Sequence, residues 1–177
     1  MTKLDEFDIG CGIISEFCKN NGIKVPEIII SDEIEHIGYY RFDRPDAIYV
    51  NVKRCNRTSK NDHPMMIYET NVIGTMLHEF GHYVHFSLFP WLTKKFGAIK
   101  NEPFIKFWER SVDEDIAENI RLFVLNPPML ARGRKKRFEI LSKHMLHGVG
   151  RNTLAVYDLY DKKNEKIDID KWELFLV

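Results

Sequence analysis

Two histidines four residues apart flank a glutamate in the run His78-Glu79-Phe80-Gly81-His82. On a helix, residues at that spacing lie on one face. Both imidazoles can therefore reach a single metal ion, at about 2.0–2.1 Å for zinc. Glu79 is turned by about 100° around the axis from His78. That keeps its carboxylate out of the ligand set but beside a water held in the open coordination position. A carboxylate there can take the water's proton as it attacks a carbonyl.

Composition alone would produce HExxH by chance in about two of a hundred such chains, so the surroundings must carry the reading. Ile73, Leu77, Phe80 and Val84 follow one another at spacings of 4, 3 and 4, a helical period. With Val72 and Met76 they make the segment too apolar for a surface rod, so it must be covered.

A catalytic zinc normally takes three protein ligands. The extension that would add a third histidine, HExxHxxGxxH, fails here, because His85 stands at the glycine position and Leu88 at the last histidine. A carboxylate from a later helix is the other source. Asp113-Glu114-Asp115-Ile116-Ala117-Glu118 places Glu114 and Glu118 four apart on one face. One can bind the ion while the other accepts a hydrogen bond from a ligating histidine's far nitrogen, which fixes the tautomer.

Positioning these groups takes several elements. Leu4 to Asn21 reads as an amphipathic helix ended by Asn20-Asn21-Gly22. Val25 to Ile30, Ile37 to Phe42 and Ala47 to Val52 read as strands, the last two as a hairpin turning through Asp43-Arg44-Pro45-Asp46. A polar loop leads to a helix from about Met66 to Leu88, stopped at Pro90. Further helices are expected from near Phe104 to Leu125, from Lys135 to Leu146 and from Thr153 to Tyr160. The tail, Ile167 to Val177, is expected to add a strand or dock in extended form. No repeat or linker splits the chain, so residues 1–177 read as one α+β domain, its sheet beside the His78–His82 helix and its C-terminal half helical.

Lysine plus arginine and aspartate plus glutamate stand at 26 each, so net charge argues for no nucleic-acid partner. The run Arg132-Gly133-Arg134-Lys135-Lys136-Arg137 is a local exception. It reads as a solvated charge run, with phosphate binding as the alternative. Cations at a helix start oppose its dipole, which favours a partner there. Cys11, Cys18 and Cys55 form no CxxC pair and read as reduced thiols. Acids in the first residues and the lack of a long apolar run predict a soluble, cytoplasmic protein with no secretory signal and no membrane span.

His78 to His82 followed by Glu114 to Glu118 resembles the core of gluzincin peptidases related to the lethal-factor-type toxin proteases. It is also similar to small zincin-like metallopeptidases encoded by phages and mobile elements. Their later motif reads Glu-x-x-Ala-Glu. The resemblance implies that Glu114 binds zinc and that Glu118 holds a ligating histidine from behind. The continuation Arg121-Leu122-Phe123-Val124-Leu125-Asn126-Pro127 also resembles the phage-type domains, and the likeness spans Gly38 to Leu141. One departure matters. The toxin proteases carry a tyrosine seven residues before the ligand glutamate, where it stabilises the oxyanion, and here that position is Phe107. Tyr83, His85, His144, His147 and Tyr157 are the other donors in reach of the expectation.

The expected activity is zinc-dependent hydrolysis of a peptide or protein, with His78, His82 and Glu114 on Zn2+ and Glu79 as general base. The strand at the sheet edge would pair with an extended peptide. Two alternatives stand beside it: a zinc-stabilised binding or assembly module without turnover, and a protease brought to DNA-bound proteins by Arg132 to Arg137. Glu79 speaks against the first, because a structural zinc site needs no base.

Overall fold

A computed structural model describes residues 2–33, 35–56, 71–100, 102 and 111–146. Helix α1 spans Lys3–Asn21. The Thr2 hydroxyl accepts from the Asp5 amide at 3.1 Å, and the Asp5 carboxylate accepts from the Thr2 amide in return, closing a capping box. Gly22, at φ 63°, ends the helix in the left-handed conformation that glycine adopts without strain.

Strands β1 (Glu27–Ile30), β2 (Gly38–Tyr40) and β3 (Ala47–Val50) form a sheet of order β1-β3-β2. β3 pairs in parallel with β1, Ile28 opposite Ile48. It pairs antiparallel with β2, Tyr39 opposite Tyr49, so the expected hairpin is present. β2 is the edge strand on that side.

Helix α2 (Val72–Tyr83) runs through the centre, buried along nearly its whole length. It packs on α1, on β2 and β3, and on α4 (Val112–Leu125). Ile13, Ile14 and Phe17 of α1, Ile48 and Val50 of β3, Ile73, Leu77 and Phe80 of α2, and Ile116, Ile120 and Phe123 of α4 form one core. Each such side chain contributes about 1.5–3 kcal/mol on burial.

The helix boundaries correct the sequence expectations. α2 begins at Val72 rather than near Met66, because Asn71 is extended and bridges to Asn56. Past Tyr83 the helix widens into a π turn, Val84–Leu88, where the Phe89 amide reaches back to the Val84 carbonyl at 3.0 Å. α4 begins at Val112, not near Phe104, because extended Ser111 accepts from the Asp113 amide at 3.2 Å and caps it. Asp113, Glu114 and Asp115 in its first turn suit the positive end of the helix. Residues 103–110 lie outside the described set, as do the expected helix over 153–160 and the tail.

Two helices were not foreseen. α3 (Leu92–Gly97) follows Pro90, and α5 (Pro127–Gly133) grows out of the prolines read as a stop. Asn126 accepts from the Met129 amide at 3.1 Å, and Pro127 and Pro128 sit in the first turn, where no intrahelical donor is needed. α6 (Lys135–Ser142) ends before Leu146. The architecture is mixed α+β: six α-helices and one three-stranded sheet among the described residues. No helix among them is long and apolar enough to cross a membrane.

Candidate metal centre

The site is built where α2 crosses α4. A methyl group added at Gly81 would stand 2.5 Å from the Ala117 carbonyl oxygen and 2.7 Å from its Cα. Backbone meets backbone there, which only glycine on α2 permits. That approach carries the acids of α4 to the histidines of α2. Glu114 Oε2 lies 3.0 Å from His78 Nε2, and its Oε1 lies 3.3 Å from His82 Nε2. One donor atom from each of His78, His82 and Glu114 falls within 4.8 Å of the other two.

Behind His78 stands Glu118, fully buried, with Oε2 3.4 Å from Nδ1. Arg121, one turn on, donates from Nε to Glu118 Oε2 at 2.8 Å and from Nη2 to Oε1. The chain Arg121–Glu118–His78 fixes the imidazole so that Nε2 faces Glu114. Arg121 was read only as part of a likeness; its spacing of three from Glu118 on a helix was the available signal. His82 has no such support, and its Nδ1 is buried without a hydrogen-bond partner among the described residues.

Three carboxylates, Glu79, Glu114 and Glu118, surround two imidazoles, and among the described residues only Glu118 is paired with an arginine. Burial alone would lower the His78 pKa, but hydrogen bonds to Glu114 and Glu118 and the charge of Glu79 outweigh it and lift the value to about 10. The Glu114 carboxyl is held well below its usual range by hydrogen bonds to His78 and His82. Burial pushes Glu118 up, yet the Arg121 charge and the bonds to His78 and Arg121 hold it low. Burial raises Glu79, partly offset by the two histidines.

No family model, curated protein or solved structure matches this chain. What the site can do is therefore set by its own atoms. Two imidazole nitrogens and a carboxylate oxygen, converging from two helices, form a donor set that could hold a metal ion.

Glu79 is buried beside this cluster, its side chain pressed against Gly38 of β2, where an added methyl group would meet Oε1 at 2.7 Å. A cleft of about 360 Å³ opens in front. Gly38, Tyr39, Tyr40 and Phe42 line one side and Ser111, Asp113 and Glu114 another, with His78, Glu79, His82 and Phe86 completing it. Of the oxyanion donors weighed from sequence, Tyr83, His85 and His144 are not on this cleft. Tyr83 donates to the Lys24 carbonyl at 2.8 Å. His85 is fully buried, its Nε2 2.8 Å from Thr93 Oγ1, and burial lowers its pKa. His144 packs on Trp91 with centroids 4.5 Å apart. Phe107, His147 and Tyr157 lie outside the described residues. Tyr39, Tyr40 and Ser111, which sequence reasoning passed over, are hydroxyl-bearing residues on the cleft, though the Tyr40 hydroxyl is taken up by Ser87 and the Ser111 hydroxyl by the Asp113 amide.

The basic run is not uniformly solvated. Arg137 is 1% exposed, with Nε 2.8 Å from Asp115 Oδ2 and Nη1 3.1 Å from Glu102 Oε2. Glu102 also accepts from the Lys136 and Arg137 amides, at 2.7 and 3.4 Å, and so caps α6. That acid offsets the cations at the helix start, and no external partner is required to explain them. Arg132, Lys135 and Lys136 remain exposed and Arg134 is half-buried.

Proposed function

We propose that this chain is a zinc-dependent peptide hydrolase of the zincin kind, with a gluzincin-type ligand set of His78, His82 and Glu114. The observation that carries the proposal is the meeting of these three donors with a buried, non-ligating Glu79 at one open cleft. A bound zinc would polarise the scissile carbonyl and acidify the attacking water. Glu79 accepts that water's proton on its carboxylate and delivers it to the leaving amine nitrogen as the C–N bond breaks. Its raised pKa makes it a better base near neutrality than an ordinary carboxylate. Glu118, backed by Arg121, keeps His78 Nδ1 engaged so that Nε2 stays free for the ion. β2 sits at the sheet edge beside the cleft, where an extended peptide can add as a strand.

A non-catalytic zinc module is the weaker reading, because a structural site has no use for a buried carboxylate facing an open cleft. Recruitment to DNA loses support with Arg137 taken into the interior. The deciding experiment is Glu79→Gln. The zinc-loaded variant should keep about one zinc per chain while hydrolysis falls by about 10²–10⁴-fold. Parallel loss of zinc and activity would make Glu79 structural and end the mechanism.

A further inference from the structure

The cleft has two unlike walls. Asp113 and Glu114 of α4 make one acidic, and Tyr40, Phe42 and Phe86 make the other aromatic. The aromatic wall is continuous. Phe86 stacks on His82 at 5.8 Å and 13°, and Tyr40 stacks on Phe86 at 5.7 Å. Phe42 meets Phe86 edge-on at 4.7 Å and Tyr40 at 5.6 Å. The wall is also fixed. The Tyr40 hydroxyl lies 3.1 Å from Ser87 Oγ, which donates to the Pro45 carbonyl at 2.8 Å, so the π turn is pinned to the hairpin turn. Yet Phe42 is 72% exposed. The core does not need Phe42, and a large exposed ring packed against Phe86 beside the cleft is available to cover something.

We infer that Phe42 and Phe86 form the subsite that selects a large apolar or aromatic side chain next to the bond being cut. The acidic wall opposite disfavours aspartate and glutamate there. This rests on the peptide-hydrolysis reading. The occupant follows from continuity and charge. The shelf starts at His82, so a group held at the ion places its neighbouring side chain on the rings. The carboxylates facing it repel an anionic one.

The test uses the zinc-loaded full chain and three probes: the hydroxamates of N-acetyl-phenylalanine, N-acetyl-alanine and N-acetyl-aspartate. Calorimetry should show the phenylalanine compound binding about tenfold tighter than the alanine compound, with the aspartate compound weakest. In Phe42→Ala, with zinc content and melting temperature checked, the phenylalanine-to-alanine preference should shrink to about twofold or less. Equal binding of the two by the unmodified chain, or a preference that survives Phe42→Ala, overturns the subsite. A proteome-derived peptide library separates this from the underlying reading. Selective hydroxamate binding with no peptide cut leaves the shelf standing and removes hydrolysis. Cleavage with no apolar enrichment beside the cut bond does the reverse.

Discussion

Replacing Gly81 by alanine puts a methyl group where α2 touches α4. It would lie 2.5, 2.7 and 2.9 Å from the carbonyl oxygen, Cα and carbonyl carbon of Ala117. Ordinary contact begins near 3.4 Å, so the worst overlap is about 0.9 Å. All three atoms are backbone, and no side-chain rotation relieves them. The helices must part by nearly that distance. Overpacking of this kind costs about 1–3 kcal/mol, and alanine's better helix propensity returns about 0.5–1 kcal/mol. A net loss near 1–2 kcal/mol lowers the melting temperature by about 2–8 °C in a chain of this size. The larger effect falls on the metal centre. Glu114 precedes Ala117 by one turn and moves with it, and its oxygens now sit 3.0 and 3.3 Å from the two imidazoles. A ligand displaced by about 1 Å should weaken zinc binding on the order of 10²-fold. Chelator competition and a thermal melt on Gly81→Ala measure both quantities. Ala117→Gly should not rescue the variant, because the Ala117 methyl is not among the nearest atoms. Wild-type zinc affinity in Gly81→Ala, or rescue by Ala117→Gly, would refute the backbone-limited crossing.

Two further outcomes are expected. Glu118→Ala should weaken zinc retention by about 10–100-fold, and Glu114→Ala should be far more damaging because it removes a ligand; equal losses in chelator titration would mean Glu118 touches the ion itself. In chelated protein the His78 pKa rises from 6.5 to about 10, so its contribution to stability is complete below pH 6.5 and is lost as pH rises through 10. Denaturant melts across that range should show the decline in chelated protein and lose it in His78→Gln; a chelated protein equally stable at both ends contradicts the protonated His78.

Much of the centre was legible because helix periodicity is strict. Once Ile73, Leu77, Phe80 and Val84 set the register of α2, the face carrying His78 and His82 followed, and the same spacing put Glu114 and Glu118 together on α4. Which histidine Glu118 supports was not legible, since it depends on the crossing of two helices, set by contact between residues 81 and 117. Arg137 was misread because charge patterning reports sign and not depth: buried Asp115 and partly buried Glu102 draw it inward. Asn126-Pro127-Pro128 was read as an ending because proline forbids helix interiors, though it equally suits a helix start. The aromatic wall was hidden for another reason. Tyr40 and Phe42 look like ordinary strand residues until the sheet edge is seen to face α2.

The π turn at Val84–Leu88 has a consequence for how such a cleft can be re-tailored. A π turn is a helix carrying one residue more than its ladder of hydrogen bonds accommodates, so it behaves as a single-residue insertion. It falls just after His82, which leaves the ligand-bearing turns upstream in register. The side chains of the turn are carried round by up to about 100° relative to an uninterrupted helix. Shortening the segment by one residue would therefore re-aim Phe86 and Ser87 and change the stacking of Phe86 on His82. The turns that carry His78 and His82 and the aromatic side of the cleft therefore meet at one stacked pair, His82 and Phe86.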